Sequence, residues 1–173
     1  PQEFNHETKF DYQLRAESEL FLAHQKWIQI RTKIPCLKHD LVTVSDSVVH
    51  LLCCLFVRPQ DNVVQFGSLD NGCTTCVLSH LVTDSFRQLV LFETNPKEVA
   101  RIRDNIYNHD KPILMIEDRM HDGPKVVYDT VVAIQQSVLR EWLASFADTS
   151  ILSGVKTIIL LNSFRKYRDQ KQF

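Results

Sequence analysis

A chain of 173 residues with 44% hydrophobic and 24% charged side chains has the make-up of one folded domain, which excludes long disordered or low-complexity tracts. Its 20 lysines and arginines against 21 aspartates and glutamates leave a formal charge of -1, which disfavours nucleic-acid binding driven by bulk positive charge. No apolar run of about 18 residues and no signal-peptide pattern is found, and the odd number of cysteines lies in core-like segments; a reducing, intracellular setting away from membranes is expected.

The first apolar pattern runs from about residue 10 to 32, where Phe10, Leu14, Leu20, Phe21, Trp27, Ile28 and Ile30 recur among charges and predict one or two helices. Ser45 is placed to cap the next helix, Asp46 to Val57, which Arg58-Pro59-Gln60-Asp61 breaks. Asn62 to Phe66 then reads as a buried strand ending at Gly67, Ser68 to Gly72 as a turn, and Cys73 to Leu81 as a helix. Gln88 to Phe92 predicts a second strand, closed by Glu93. Asn95-Pro96 with Glu98 supplies an N-cap, a proline at the first helical position and a capping box, and the helix that follows carries Val99, Ile102 and Ile106 on one face.

Pro112 to Ile116 is the third strand, running into Glu117-Asp118, and Asp122-Gly123 marks a turn. Val126 to Val132 is the fourth strand; Val138, Leu139, Trp142 and Phe146 form a helical stripe; Val155 to Leu161 is the fifth strand. Continuous apolar strands separated by helices imply a parallel sheet covered on both faces. The expected class is therefore α/β, a doubly wound, mostly parallel sheet with helices on both faces. It spans 43–173 behind an N-terminal helical extension over 1–42.

Several motifs read as structure. Cys73-Thr74-Thr75-Cys76 is a lone CxxC without the second pair a zinc site needs, and Cys53 and Cys54 sit in an apolar run as small hydrophobes. The histidines show no metal-ligand spacing, so no metal is expected. His121, after the third strand, lies nearest the expected ligand edge and is a candidate general base. Trp27 and Trp142 read as core residues, and the basic run Arg165 to Lys171 as a solvated tail.

In doubly wound sheets ligands sit at the carboxyl ends of the strands, near the topological switch point. Glycine is scarce, with four residues where average usage of about 7% would place roughly a dozen. Two of them, Gly67 and Gly72, bracket the first strand–turn–helix. Gly67 would allow close backbone approach, and Gly72 would open a helix whose N-terminus offers N–H groups to an anionic ligand. Glu93 has two readings: it accepts both hydroxyls of a ribose, or it is an acidic residue favourably placed before a helix N-terminus.

Val63-Val64-Gln65-Phe66-Gly67-Ser68-Leu69-Asp70-Asn71-Gly72 resembles the first motif of the class I S-adenosylmethionine-dependent methyltransferases, and Val90-Leu91-Phe92-Glu93-Thr94-Asn95-Pro96 is similar to the second. Ile116-Glu117-Asp118 stands where the third would be, and Tyr128-Asp129-Thr130-Val131-Val132 resembles the strand before the catalytic loop. The likeness covers about residues 43 to 162. It implies a Rossmann-like fold, S-adenosylmethionine as cofactor, and methyl transfer to an unidentified acceptor. It also implies a cofactor-binding set of Gln65, Gly67, Ser68, Leu69, Asp70, Gly72, Glu93, Thr94, Glu117 and Asp118. Asp129 is a candidate catalytic residue or, alternatively, a strand-end carboxylate that satisfies a neighbouring turn.

The chain departs from the family at Gln65, where an acidic residue is usual, and at Leu69, where a glycine is. Ala133-Ile134-Gln135-Gln136 follows the fourth strand in place of an Asn-Pro-Pro-Tyr-like motif, and the family's last two strands have no expected counterpart. These departures support an alternative: a catalytically degenerate domain, a pseudoenzyme, that binds a protein partner or the remainder of a longer chain as a scaffolding module. A nicotinamide-dinucleotide domain is a third reading, and its fingerprint wants glycine at the Leu69 position.

Overall fold

Apolar strands alternate with helices along the chain, in a computed structural model that describes residues 8–33, 44–68, 72–84, 86–106, 114–116, 126–145 and 152–161. In order these form α1 (Lys9–Lys33), α2 (Val44–Phe56), β1 (Val63–Phe66), α3 (Cys73–Leu81), β2 (Leu89–Phe92), α4 (Pro96–Ile106), β3 (Leu114–Ile116), β4 (Thr130–Ala133), α5 (Gln136–Ser145) and β5 (Thr157–Leu160). The strands make one five-stranded sheet in the order β3-β2-β1-β4-β5, with every pairing parallel. That is the doubly wound, Rossmann-like α/β order, and its switch point falls between β1 and β4.

Side chains alternate between the two faces, as the pleat requires. Val63, Leu89 and Val132 point to the face covered by α2 and α3, where Val49, Cys53, Val77 and Leu78 complete the core. Val64, Phe66, Val90, Phe92, Val131 and Ala133 point to the opposite face, beneath Trp142 of α5. Tyr128 is wholly buried on that second face, and burial pushes its hydroxyl up to about 12, so it stays neutral.

The N-terminal pattern is a single helix of 25 residues. Its buried seam is Ala23 and Ile30 with half-buried Trp27 between them, a helical spacing that packs α1 against the α2 side of the core. The other apolar positions of α1 face outward; Phe10 is 72% exposed and Phe21 62%.

Three local expectations change. α2 begins at Val44, ahead of the expected start at Asp46, so Ser45 lies within the helix. Glu98 does not complete a capping box: its Oε1 pairs with Arg101 at 2.9 Å, and the Asn95 N–H donates to Glu93 Oε1 at 2.9 Å instead. Asn95 keeps its cap role, its Oδ1 accepting the Lys97 N–H at 3.0 Å. β4 starts at Thr130 because the residues before it are bonded elsewhere: the Asn62 side-chain amide donates to Val127 O at 3.1 Å and the Asp129 N–H to Asn62 O at 2.9 Å. Phe146 lies outside the described residues.

At the carboxyl ends of β1 and β2, Phe66 and Phe92 stack at 5.2 Å, and Trp142 leans on both at 5.0 and 5.5 Å. Such aromatic pairs add about 0.5–1.5 kcal/mol beyond their buried area. Trp142→Ala is therefore expected to lower unfolding stability by about 3–5 kcal/mol, read as a shifted midpoint in urea. A loss below about 1 kcal/mol would show that α5 does not hold this face.

Candidate functional site

Gly67 leaves β1 at the switch point with φ 75, a left-handed conformation that favours glycine. Its N–H donates to Phe92 O at 2.8 Å, while Phe66 O accepts the N–H groups of Ile134 and Gln135, both at 3.0 Å. The turn after β1 is thus tied to β2 on one side and to the start of the loop after β4 on the other. A Cβ on Gly67 would stand 2.6 Å from Cβ and from Oε1 of Gln135, so the Gln135 side chain rests directly on this glycine.

Gln65 is wholly buried. Its Nε2 donates to Gly67 O at 2.9 Å, and its Oε1 accepts the Thr75 hydroxyl at 3.0 Å. Both ends of the amide therefore brace the turn against α3. Gly72, with φ 85, begins α3 without a side-chain cap. A Cβ there would meet Ile102 Cγ1 at 3.0 Å and Ile102 Cα at 3.2 Å, so this glycine lets α4 pack against the start of α3.

Glu93, at the end of β2, is only 2% exposed. Its Oε2 accepts the Ser68 N–H at 2.9 Å and its Oε1 the Asn95 N–H at 2.9 Å, so one carboxylate closes the loops after both β1 and β2. Ser68 is buried too, and its Oγ accepts the Gly72 N–H at 3.3 Å. Thr94 is half-buried and lines, with Phe92, Val138, Glu141 and Trp142, a gap of about 10 Å3. That is room for about one water.

The structure thus brings Gln65, Gly67, Ser68, Gly72, Glu93 and Thr94 to the carboxyl edge. Leu69, Asp70, Glu117, Asp118 and His121 lie outside the described residues. Asp129 stands at the opposite end of the sheet, just before β4, where its Oδ2 accepts the Asn62 N–H at 2.8 Å. The placement is that of a strand-end carboxylate bonded to a neighbouring turn. Gln135 and Thr75 are the contributors that the motifs did not single out. Gln135 had one signal: it follows the fourth strand, which the sheet order sets beside the first.

Cys73 and Cys76 are buried at the start of α3, and among the described residues no cluster of metal-ligating side chains forms. Burial pushes the Cys54 thiol up to about 11, against the opposing pull of Lys26, so it remains an unreactive thiol at neutral pH. Among the described residues no helix is long and apolar enough to cross a membrane.

No family model matches the chain, and no curated protein matches its sequence. Solved structures with a similar fold include the 23S rRNA methyltransferase ErmE, at 18% identity and a TM-score of 0.43, covering 60% of this chain and 42% of that one. This chain therefore spans less than half of that structure's length. A precorrin-6y C5,15-methyltransferase from Geobacter metallireducens is similar at 18% identity and a TM-score of 0.49, over 77% of this chain and 70% of that one. The Podospora anserina methyltransferase PaMTH1, solved with S-adenosylhomocysteine bound, is similar at 12% identity and a TM-score of 0.48, over 87% of this chain and 70% of that one.

Proposed function

We propose that the carboxyl edge of the sheet binds S-adenosylmethionine and that the domain works as a methyltransferase on a second, acceptor substrate. The observation that carries this reading is the setting of Glu93. Its carboxylate is buried where the loops after β1 and β2 meet, and each oxygen accepts one backbone N–H. A carboxylate oxygen has two lone pairs, so each Oε keeps one for a ribose hydroxyl, and the backbone bonds aim the group in advance. When bound, the cofactor supplies an electrophilic methyl carbon on its sulfonium sulfur. The chain's part is to hold and orient it, with Ser68 and Gly72 shaping the turn and Thr94 beside Glu93.

The ribose end therefore fits the residues present. The methionyl end fits only with the Gln135 side chain turned off Gly67, since its atoms stand where that approach would be made. Gln135 accordingly favours a second reading, a catalytically degenerate module that binds a protein partner or the rest of a longer chain. The exposed side of α1, with Phe10 and Phe21, offers such a partner apolar surface.

Calorimetric titration with S-adenosylmethionine and S-adenosylhomocysteine separates the two. The first reading expects binding that weakens at least about tenfold in Glu93→Ala, as loss of a charged hydrogen-bond acceptor implies. Glu93→Ala also strips an acceptor from two backbone N–H groups, about 1–3 kcal/mol of stability, so its unfolding in urea is measured alongside. Absence of heat at about 1 mM ligand in a folded sample overturns the cofactor site.

A second variant removes the obstruction instead of the ligand. Gln135→Ala is expected to tighten cofactor binding several-fold, because no side chain must be displaced from Gly67. If the wild type and Gln135→Ala both give no heat, the degenerate module stands and the methyltransferase reading falls.

A further inference from the structure

A cleft of about 640 Å3 opens at the amino-terminal end of the sheet, the end opposite Glu93. Sheets of this kind bind ligands at their carboxyl ends, and the sheet alone would leave this end shallow. Here α1 forms one wall, and the segments leading into β1, β2, β4 and β5 form the other.

Four cations line it: Lys26 from α1, Arg58 after α2, Arg87 before β2 and Lys156 before β5, all solvent-exposed. Lys26, Arg58 and Lys156 form no ion pair with another described residue, and Arg87 stands 4.0 Å from Asp84. Carboxylates share the lining, and two of them are committed to the fold. Asp61 Oδ2 accepts the Arg58 N–H at 2.9 Å and the Thr130 hydroxyl at 3.3 Å, and Asp129 Oδ2 accepts the Asn62 N–H at 2.8 Å. Glu19, on α1, is the third. The same cleft presents apolar surface: Phe56, the last residue of α2, is 47% exposed, and Leu22 of α1 is 65% exposed.

Cations that converge from separate segments suit a phosphate group, and an exposed aromatic ring suits a planar base. The volume lies within the roughly 300–1,000 Å3 range of small-ligand sites. We infer that this amino-terminal cleft binds a nucleotide, its phosphates among Lys26, Arg58, Arg87 and Lys156 and its base against Phe56. The inference is independent of the cofactor reading, since none of these residues lies at the carboxyl edge.

Calorimetry on the whole chain with ADP, inorganic pyrophosphate and adenosine tests it. ADP is expected to bind, pyrophosphate to bind more weakly, and adenosine more weakly than ADP. The double variant Arg58→Gln/Lys156→Gln is expected to weaken ADP binding at least about tenfold with its melting temperature unchanged, because both side chains are exposed. Phe56→Leu is expected to weaken ADP binding and leave pyrophosphate binding as it was. Saturating S-adenosylmethionine should leave the ADP affinity unchanged, which keeps the two sites' outcomes separate. No heat with ADP at about 1 mM, or an affinity unaltered in the double variant, overturns the proposal. An octathymidylate that binds far more tightly than ADP with a steep salt dependence also overturns it, because the cleft would then be the path of a single strand.

Discussion

At the centre of the sheet, β1 is covered on both faces, and one of its inward side chains is an amide. A buried amide is tolerated only when its donor and acceptor are both matched. Gln65 meets that condition with Gly67 O and the Thr75 hydroxyl, and in doing so joins strand, turn and helix α3 in one unit. The amide suits this role because it carries a donor and an acceptor together. A carboxylate in the same place would set lone pairs against the Gly67 carbonyl and open the turn. Where the resembled family has a group able to meet a charged ligand, this chain has one that closes the turn upon itself.

Glu93 consequently carries the buried negative charge at this edge. An unpaired carboxylate so deeply buried would cost several kcal/mol. Two backbone N–H groups offset that cost, and α4 begins immediately after it, with the positive end of its dipole turned toward the carboxylate. Asn95 links the two effects, giving its N–H to Glu93 and its side chain to the Lys97 N–H. The structural role of Glu93 and the ribose-binding role proposed for it are therefore compatible: a diol would add to the hydrogen bonds that position the carboxylate without displacing them.

Much of this was legible in the residue pattern. β1, α3 and β2 fall where continuous apolar runs and Gly67 put them, because burial on both faces leaves little freedom in which residues can form such strands. Two of the misses come from bonds that another residue takes, Glu98 at the start of α4 and the residues before β4. Asn62 takes the bonds of Val127 and Asp129 that would otherwise have extended β4, and Glu93 takes the N–H that Glu98 was expected to cap. Gly72 shows the same limit in another form: its left-handed backbone is local, but the Ile102 packing that forbids a side chain comes from α4. Gln135 could not be recognised as a neighbour of Gly67 until β4 was placed beside β1.

The two ends of the sheet have accordingly diverged. At the carboxyl end, Gln65 is satisfied by Gly67 and Thr75 and Glu93 by Ser68 and Asn95, while the Phe66–Phe92–Trp142 cluster borders a gap of about 10 Å3 between β2 and α5. At the amino end, Asp61, Asn62 and Asp129 bond mainly to backbone groups, so the strand entries are fixed while the neighbouring cations stay exposed. The helix that walls this end is held by a narrow seam of Ala23, Trp27 and Ile30, so Lys26 and Leu22 on its flank can border a cleft without loosening its packing. Among the described residues, polar satisfaction thus fixes the turn at the carboxyl edge, while α1 walls a cleft at the amino end. The side chains at the ends of the strands shape the two ends of the sheet differently, although one strand order runs through both.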